Sequence, residues 1–278
     1  MTGGAAPQDR ARRYPDAVAL YVIGDTHGHH AQVTEGLREV GLLDASGWAG
    51  GDARLWFLGD LTDRGPDGIG VIDLIMGLQP QAAAAGGEVD CVLGNHDLLL
   101  YGSHYIPDAQ ITPDRTIIQS WALNGGQDSD LNRLTDAHLA WLAALPAVAL
   151  VDDQLLVHAD TTAYLEFGGS IEEINTTVRR MLADRDPQTF GAQMRLIFRR
   201  FEFLDPAQGP GRARMMLDRL GGRRIVHGHS TIPETFSVPP TQVDAPVIYA
   251  GGLAVAVDTG IALGARCVPF ELGAEVPA

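Results

Sequence analysis

Leu20-Tyr21-Val22-Ile23-Gly24-Asp25-Thr26-His27-Gly28 decides how the rest of the chain is read. Four apolar residues, enough for a short buried strand and too few for a helix, stop at a glycine, and ligand-type side chains follow at once. The pattern returns twice. Leu55-Trp56-Phe57-Leu58 runs into Gly59-Asp60-Leu61-Thr62-Asp63-Arg64-Gly65, and Cys91-Val92-Leu93 runs into Gly94-Asn95-His96-Asp97. Further on, Leu155-Leu156-Val157 leads to His158, Ile225-Val226 to His227-Gly228-His229, and Val255-Ala256-Val257 to Asp258-Thr259-Gly260. Six apolar runs ending in polar groups predict strands whose carboxyl ends meet at one site, as in open α/β sheets.

Between these runs the spacing predicts helices over 31–40 and 68–78, the second opened by Gly65-Pro66-Asp67. Alternating strand and helix predicts an α/β fold. Stretches 131–145 and 171–220 carry helical periodicity, with Met194, Ile197, Phe198 and Phe201 as examples, and are expected to include a cap over the site. Ala82 to Gly87 reads as a loop or frayed helix end, and Pro239-Pro240 with Pro246 as a loop before the last strands. A chain of 278 residues suits one large domain over 1–278, with two domains as the alternative. Within it, 17–165 is expected to be an N-terminal metal-binding half, 166–222 a helical cap or insert, and 223–278 the C-terminal strands completing the site.

With 45% hydrophobic residues the chain has material for a sizeable core. A net charge of −15, from 35 acids against 20 bases, argues against a nucleic-acid polymer as partner. The first sixteen residues hold Arg10, Arg12 and Arg13 without the apolar stretch of a signal peptide, and no later run is long enough for a bilayer, so neither a membrane nor export is expected. Two separated cysteines, Cys91 and Cys267, suit a reducing compartment; the expected location is cytoplasmic. No lysine occurs anywhere, which excludes P-loop and Schiff-base chemistry. Cysteine-nucleophile phosphatases, with an arginine six positions after the cysteine, are excluded as well, because Asp97 and Gly273 stand there. Phosphate chemistry in this chain has metal and arginine to work with.

Taken in order, Gly24-Asp25-Thr26-His27-Gly28, Gly59-Asp60-Leu61-Thr62-Asp63-Arg64-Gly65 and Gly94-Asn95-His96-Asp97, followed by His158 and His229, resemble the signature blocks of calcineurin-like metallophosphoesterases, in their phosphoprotein phosphatase branch. The resemblance implies an αββα sandwich of two mixed β-sheets flanked by helices. It also implies two divalent cations, manganese foremost, with iron or zinc as alternatives. On the family pattern Asp25 and His27 take one ion, Asp60 bridges, and Asn95, His158 and His229 take the other; hydroxide shared by the ions attacks phosphorus. His96 is expected as general acid, oriented and favoured in its protonated form by Asp63. Arg64 offers a fork to two phosphate oxygens, and a second phosphate arginine is expected at Arg199 or Arg200.

Each motif alone has a plainer reading. Asp-x-His and Asn-His pairs serve turns and helix caps. His227 competes with His229 as ligand, although the Gly-His order matches the family better at His229. His29, His30 and His104 read as loop residues near the site, His138 as packing or surface, and the pairs Arg179-Arg180 and Arg223-Arg224 as solvated faces. The chain also departs from eukaryotic Ser/Thr phosphatases, which have Arg and Glu where Leu93 and Asp97 stand, and Gly-Gly at Ala159-Asp160. Their Ser-Ala-Pro-Asn-Tyr block is replaced by Val257-Asp258-Thr259-Gly260, a bacterial look.

The resemblance implies a hydrolase acting on a phosphorylated protein, peptide or small phosphoester. Protein-phosphatase-like phosphomonoesterase activity is the first expectation and symmetrical diadenosine tetraphosphatase activity the second. Trp121-Ala122-Leu123-Asn124-Gly125-Gly126 resembles a segment of both groups. An inactive metal-binding scaffold is the alternative of another class.

Overall fold

The computed structural model describes residues 18–273, so the reading of the first sixteen residues and the outermost domain bounds lie outside it. The first sheet is built on β1 (Leu20–Ile23), β4 (Arg54–Phe57) and β5 (Glu88–Cys91), all parallel, with β13 (Phe270–Leu272) antiparallel on the far side of β1. The second is built on parallel β9 (Gln154–Val157), β10 (Arg224–His227) and β12 (Ala254–Ala256), with antiparallel β8 (Val148–Val151) and β11 (Val247–Tyr249) at its edges. Two small hairpins stand apart from them, β2 (Leu43–Asp44) with β3 (Gly47–Trp48), and β6 (Gln110–Thr112) with β7 (Arg115–Thr116).

Strand side chains alternate between two cores. Leu20 and Val22 of β1, Trp56 of β4, Val226 of β10 and Val255 of β12 meet in one buried cluster between the sheets. Ile23, Leu55, Phe57, Leu155, Val157 and Ile225 face the opposite way, into the clusters under the helices. Both faces of each sheet are therefore buried, which is why the strands read as unbroken apolar runs. Helices α1 (His30–Glu39) and α2 (Gly68–Ala84) supply Val33, Leu37, Ile72 and Ile75 to the outer face of the first sheet; α7 (Ile171–Asp184) and α9 (Gly209–Leu220) supply Ile174, Val178, Ala213 and Leu217 to that of the second. The result is the four-layer αββα sandwich of two mixed sheets.

Three boundaries differ from the sequence reading. The third strand lies at Glu88–Cys91, not 91–93; its alternating Glu88 and Asp90 disguise it, and the Leu93 N–H leaves the ladder for Pro146 O. Helix α2 continues through Pro80 to Ala84, since Ala82 is buried and the alanine run favours helix. The stretch 131–145 divides into α5 (Asp128–Arg133) and α6 (Asp136–Ala144), where Thr135 caps the second helix through the His138 N–H. The remaining helices are α3 (Asn95–Tyr105), α4 (Ile117–Leu123), α8 (Pro187–Ile197) and α10 (Ile232–Phe236). No helix of the described residues is long and apolar enough to cross a membrane.

Candidate functional site

Register brings the polar strand ends together. Ile23 pairs with Phe57 and Phe57 with Cys91, while Val157 pairs with His227 and His227 with Ala256, so all six strand termini fall at one end of the sandwich. The loops are tied across: Thr26 and His27 N–H donate to Asp60 O at 3.2 and 2.9 Å, and the Gly28 N–H to Leu61 O at 2.9 Å. Space is tight enough that a Cβ on Gly94 would run into Asp60, and one on Gly228 into the Asp25 carboxylate. Of the ten non-glycine residues with positive φ among the described residues, five belong to this end: His27, Asp60, Asp63, Arg64 and His229. Such strain persists where surrounding contacts over-determine it, and it concentrates at functional sites.

Those contacts are visible. The buried Asp97 carboxylate accepts the Asp60, Leu61 and Gly94 N–H groups, each at 2.9 Å. Asp130, also buried, accepts from Gly68 at 3.0 Å, Ile69 at 3.3 Å and Asp63 at 3.4 Å. Asp60 Oδ1 accepts the His96 N–H at 2.8 Å, and Asp25 Oδ1 the His229 N–H at 2.9 Å.

Asp60 is the shared member of two clusters. Ligand atoms of Asp25, Asp60, His158 and His229 lie within 4.8 Å of one another, as do those of His27, Asp60 and His96. His27 Nε2 is 3.7 Å from Asp25 Oδ2 and 3.9 Å from Asp60 Oδ2, and Asn95 Oδ1 is 2.8 Å from His158 Nε2. Tautomers follow from the partners behind the rings: His158 Nδ1 faces Leu58 O at 2.8 Å and His27 Nδ1 faces Thr62 O at 3.1 Å, so those nitrogens donate and both Nε2 lone pairs point inward. His158 Nε2, Asn95 Oδ1 and Asp60 Oδ1 then crowd together as acceptors, with 3.4 Å between His158 Nε2 and Asp60 Oδ1. Buried His27 Nε2, His229 Nε2 and Asp258 Oδ2 have no hydrogen-bond partner. His229 Nδ1 stands 3.1 Å from His158 Nε2. Converging acceptors and the orphaned His27 Nε2 and Asp258 Oδ2 fit cations, because a divalent ion satisfies lone pairs that the surrounding donors leave unmet.

The electrostatics agree. Burial raises the Asp25 pKa well above the usual carboxylate range, with Asp258 and Asp60 adding to it, and raises Asp60 as well. Burial pushes Asp258 up to about 7, and drives His158 down to about 4 and His27 and His229 well below ordinary imidazole. Each of these shifts is toward the neutral form, because burial disfavours charge.

His96, a member of the second cluster, turns its Nδ1 to Asp63 Oδ2 at 2.7 Å, and Asp63 Oδ1 accepts the Trp121 indole N–H at 2.7 Å. Arg64 Nη2 lies 3.2 Å from His96 Nε2, and the Arg64 N–H donates to Gly125 O at 2.7 Å. Arginine only donates, so this contact places the ring proton on Nδ1, toward Asp63. Burial pushes the pKa of the His96 ring down and that of Asp63 up to about 8.

A cavity of about 370 Å³ opens here, lined by Asp25, His27, Asp60, Arg64, Arg200, His229, Thr231, Glu234, Asp258 and residues 260–263. Arg200 is the arginine that reaches it. Arg199 does not: it is 51% exposed and pairs with Glu166 at 2.8 Å. His227 turns away to the Tyr249 hydroxyl at 2.7 Å, leaving the site to His229. His138 pairs with Asp73, and His104 packs on Tyr105. Sequence reasoning missed Trp121 behind Asp63, the anchors Asp97 and Asp130, and Asp258; the Trp121 segment and the position of Asp258 after a strand were the available signals.

Residues 19–233 match the calcineurin-like phosphoesterase family. The chain is similar to Shewanella-like protein phosphatase 2 of Arabidopsis thaliana, 32% identical over 88 residues, which are 31% of this chain and 22% of that protein. It is similar to the symmetrical bis(5'-nucleosyl)-tetraphosphatase of Nitrosomonas europaea, 32% identical over 142 residues, 51% of this chain and 44% of the relative, and to that of Bordetella parapertussis, 28% identical over 199 residues, 64% and 63%. The chain thus spans less than two thirds of the length of these relatives. Among solved structures, the cold-active protein-tyrosine phosphatase of a psychrophilic Shewanella superposes with TM-score 0.68 at 19% identity, over 90% of this chain and 74% of the other. A protein serine/threonine phosphatase from Saccharomyces cerevisiae gives 0.56 at 18%, over 87% and 67%. At such identities the structures speak for a common fold.

Proposed function

The chain belongs to the calcineurin-like phosphoesterase family, and from that premise we propose that it is a dinuclear metal-dependent hydrolase of phosphomonoesters, protein-phosphatase-like in substrate class. The observation that carries this reading is the pair of ligand clusters sharing Asp60 beside an arginine-bearing cavity. Asp25, His27 and Asp60 would hold one cation, and Asp60, Asn95, His158 and His229 the other, with manganese first and iron or zinc next. When bound, the two ions supply Lewis-acid charge and lower the pKa of water toward neutrality.

The chain's own groups do the rest. Arg64 and Arg200 hold non-bridging phosphate oxygens. As Arg64 turns to phosphate it frees His96 Nε2, which takes up a proton from solvent and passes it to the leaving oxygen, while Asp63 holds Nδ1 and stabilises positive charge on the ring in between. Segment 166–222 contributes to the site through Arg200. The two buried, unpaired cysteines support a cytoplasmic setting.

Substrate class follows from charge. Arg64 and Arg200 are the arginines lining the cavity, and Glu234 stands on its wall. Two guanidinium forks, with Glu234 and Asp258 as further carboxylates on the wall besides the proposed ligands Asp25 and Asp60, suit a single phosphate better than a tetraphosphate chain. The relatives from Nitrosomonas and Bordetella carry the name of symmetrical tetraphosphatases, which makes that activity the second reading. Metal-loaded protein is to be tested on p-nitrophenyl phosphate, phosphopeptides and diadenosine tetraphosphate side by side, with metal analysis of the protein as purified. Faster cleavage of the dinucleotide to two ADP overturns the first substrate class; no hydrolysis of any of them overturns the enzyme reading in favour of a binding scaffold.

A further inference from the structure

The link after α8 reaches the cavity by an unusual path. Arg199 and Arg200 are adjacent, yet one pairs with Glu166 and the other lines the site, and the next residue, Phe201, has φ +69°, a conformation that costs a residue with a Cβ. Something must hold that turn. Asp160, two residues beyond His158 and fully buried, accepts the Phe201 N–H at 2.9 Å on Oδ2 and the Ser230 hydroxyl at 2.6 Å on Oδ1, with the Tyr249 hydroxyl at 3.5 Å from Oδ2. Its carbonyl accepts the Glu202 N–H at 3.1 Å, and the Glu202 carboxylate returns to the Thr162 N–H at 2.9 Å and hydroxyl at 2.6 Å. The Arg200 guanidinium lies 4.6 Å from the centre of the Phe201 ring, so fixing Phe201 fixes a surface on which Arg200 rests.

We propose that Asp160 is a positioning residue for phosphate binding: by pinning the Phe201 turn to the end of β9 it holds Arg200 in the cavity. The inference rests on the phosphoester reading of that cavity. It assigns a purpose to a carboxylate that lies outside both ligand clusters and does not line the cavity. The same carboxylate ties Ser230, which follows His229, to the turn carrying Arg200, so the cation-binding edge and the phosphate-binding arm share one anchor.

The test compares wild type, Asp160→Ala, Asp160→Asn, Arg200→Ala and Asp160→Ala/Arg200→Ala, all manganese-loaded. It reads kcat and KM on p-nitrophenyl phosphate, competitive inhibition by inorganic phosphate, and bound metal per chain. Removing one charge-assisted phosphate contact weakens binding roughly 10- to 100-fold. Asp160→Ala is expected to raise KM and the phosphate inhibition constant into that range, with kcat changed less and metal content kept. Because Asp160 acts through Arg200, the double variant is expected to match Arg200→Ala rather than multiply the two effects. Asparagine offers Oδ1 to the Phe201 N–H and its amide to the Ser230 hydroxyl, so Asp160→Asn folds and restores most of the lost affinity. Multiplying effects, or metal loss in Asp160→Asn, overturns the proposal. A wild type inactive on every phosphoester fails the function reading instead; calorimetric binding of inorganic phosphate to wild type and Asp160→Ala then still decides whether Asp160 places Arg200, equal affinities of the two counting against it.

Discussion

Replacing Asp97 by asparagine and by alanine weighs the anchor beneath the shared ligand. The carboxylate accepts three buried N–H groups, with Oδ2 serving Asp60 and Gly94 and Oδ1 serving Leu61. Asparagine, turned so that its oxygen takes the place of Oδ2, keeps two of the three; alanine keeps none. Both variants are uncharged, so the cost of burying the charge, seen in a pKa pushed up to about 6, cancels between them. The difference is then two orphaned buried donors, at roughly 1–3 kcal/mol each, or about 2–6 kcal/mol in all. For a chain of this size about 1 kcal/mol moves the midpoint roughly 2–4 °C, so alanine should melt on the order of 5–20 °C below asparagine. Urea and thermal unfolding of metal-free protein at one pH, followed by circular dichroism, measures it. Midpoints within about 2 °C of each other would show that Asp97 does not hold the Asp60 and Gly94 turns, and the account of how Asp60 keeps its φ of +51° would fall with it.

Four further outcomes are expected. Asp60→Asn should lower turnover by orders of magnitude and bound metal with it, whereas His96→Ala should lower turnover with metal retained; element analysis beside initial rates separates them. Trp121→Phe removes the donor to Asp63 Oδ1 and should cost about 1–3 kcal/mol in urea unfolding, the worth of leaving a buried acceptor unpaired. Arg199→Ala should leave KM within about twofold, since exposed ion pairs such as that with Glu166 contribute little. Metal-free protein should lose stability between about pH 6.5 and 8: a carboxyl with a raised folded pKa stabilises fully below its unfolded value and loses that contribution as pH rises through the folded one, about 7 for Asp258 and about 8 for Asp63. Below that window the depressed histidines, His158 among them at about 4, act with the opposite sign, losing stability as pH falls. Saturating manganese should flatten the upper slope, and an unchanged slope in unfolding at stepped pH would count against cations in the clusters.

The part of the site that was legible in the sequence is the part made by local geometry. A ligand-type residue at the end of an apolar run inherits its position from the strand, so Asp25, Asp60, Asn95, His158 and His229 could be placed once the strands were recognised, even though β5 begins three residues earlier than read. The supports were not legible, because nothing local marks them. Asp97 reaches back 36 and 37 residues to Leu61 and Asp60, Asp130 reaches 67 to Asp63, and Trp121 reaches 58 to the same carboxylate. The choice between Arg199 and Arg200 was equally closed, since it turns on the left-handed backbone at Phe201 and on a carboxylate 41 residues upstream.

This division explains why the variants should separate by readout. The acidic members of the proposed ligand set and the anchors are all buried, but they meet opposite partners. Asp25 and Asp60 face other acceptors, so an isosteric amide there removes affinity for a cation while the backbone contacts remain available. Asp97, Asp130 and Asp160 face N–H and O–H donors from two or three segments each, so their loss releases backbone held at positive φ, the turns of Asp60, Asp63 and Phe201 respectively. An anchor variant should therefore show its damage in unfolding or in KM even when metal content is normal, and a ligand variant in metal content even when unfolding is normal. Asp60 is where the two classes meet, its carboxylate common to both clusters and its N–H held by Asp97, so weakening Asp97 should reduce metal affinity in proportion to the stability lost.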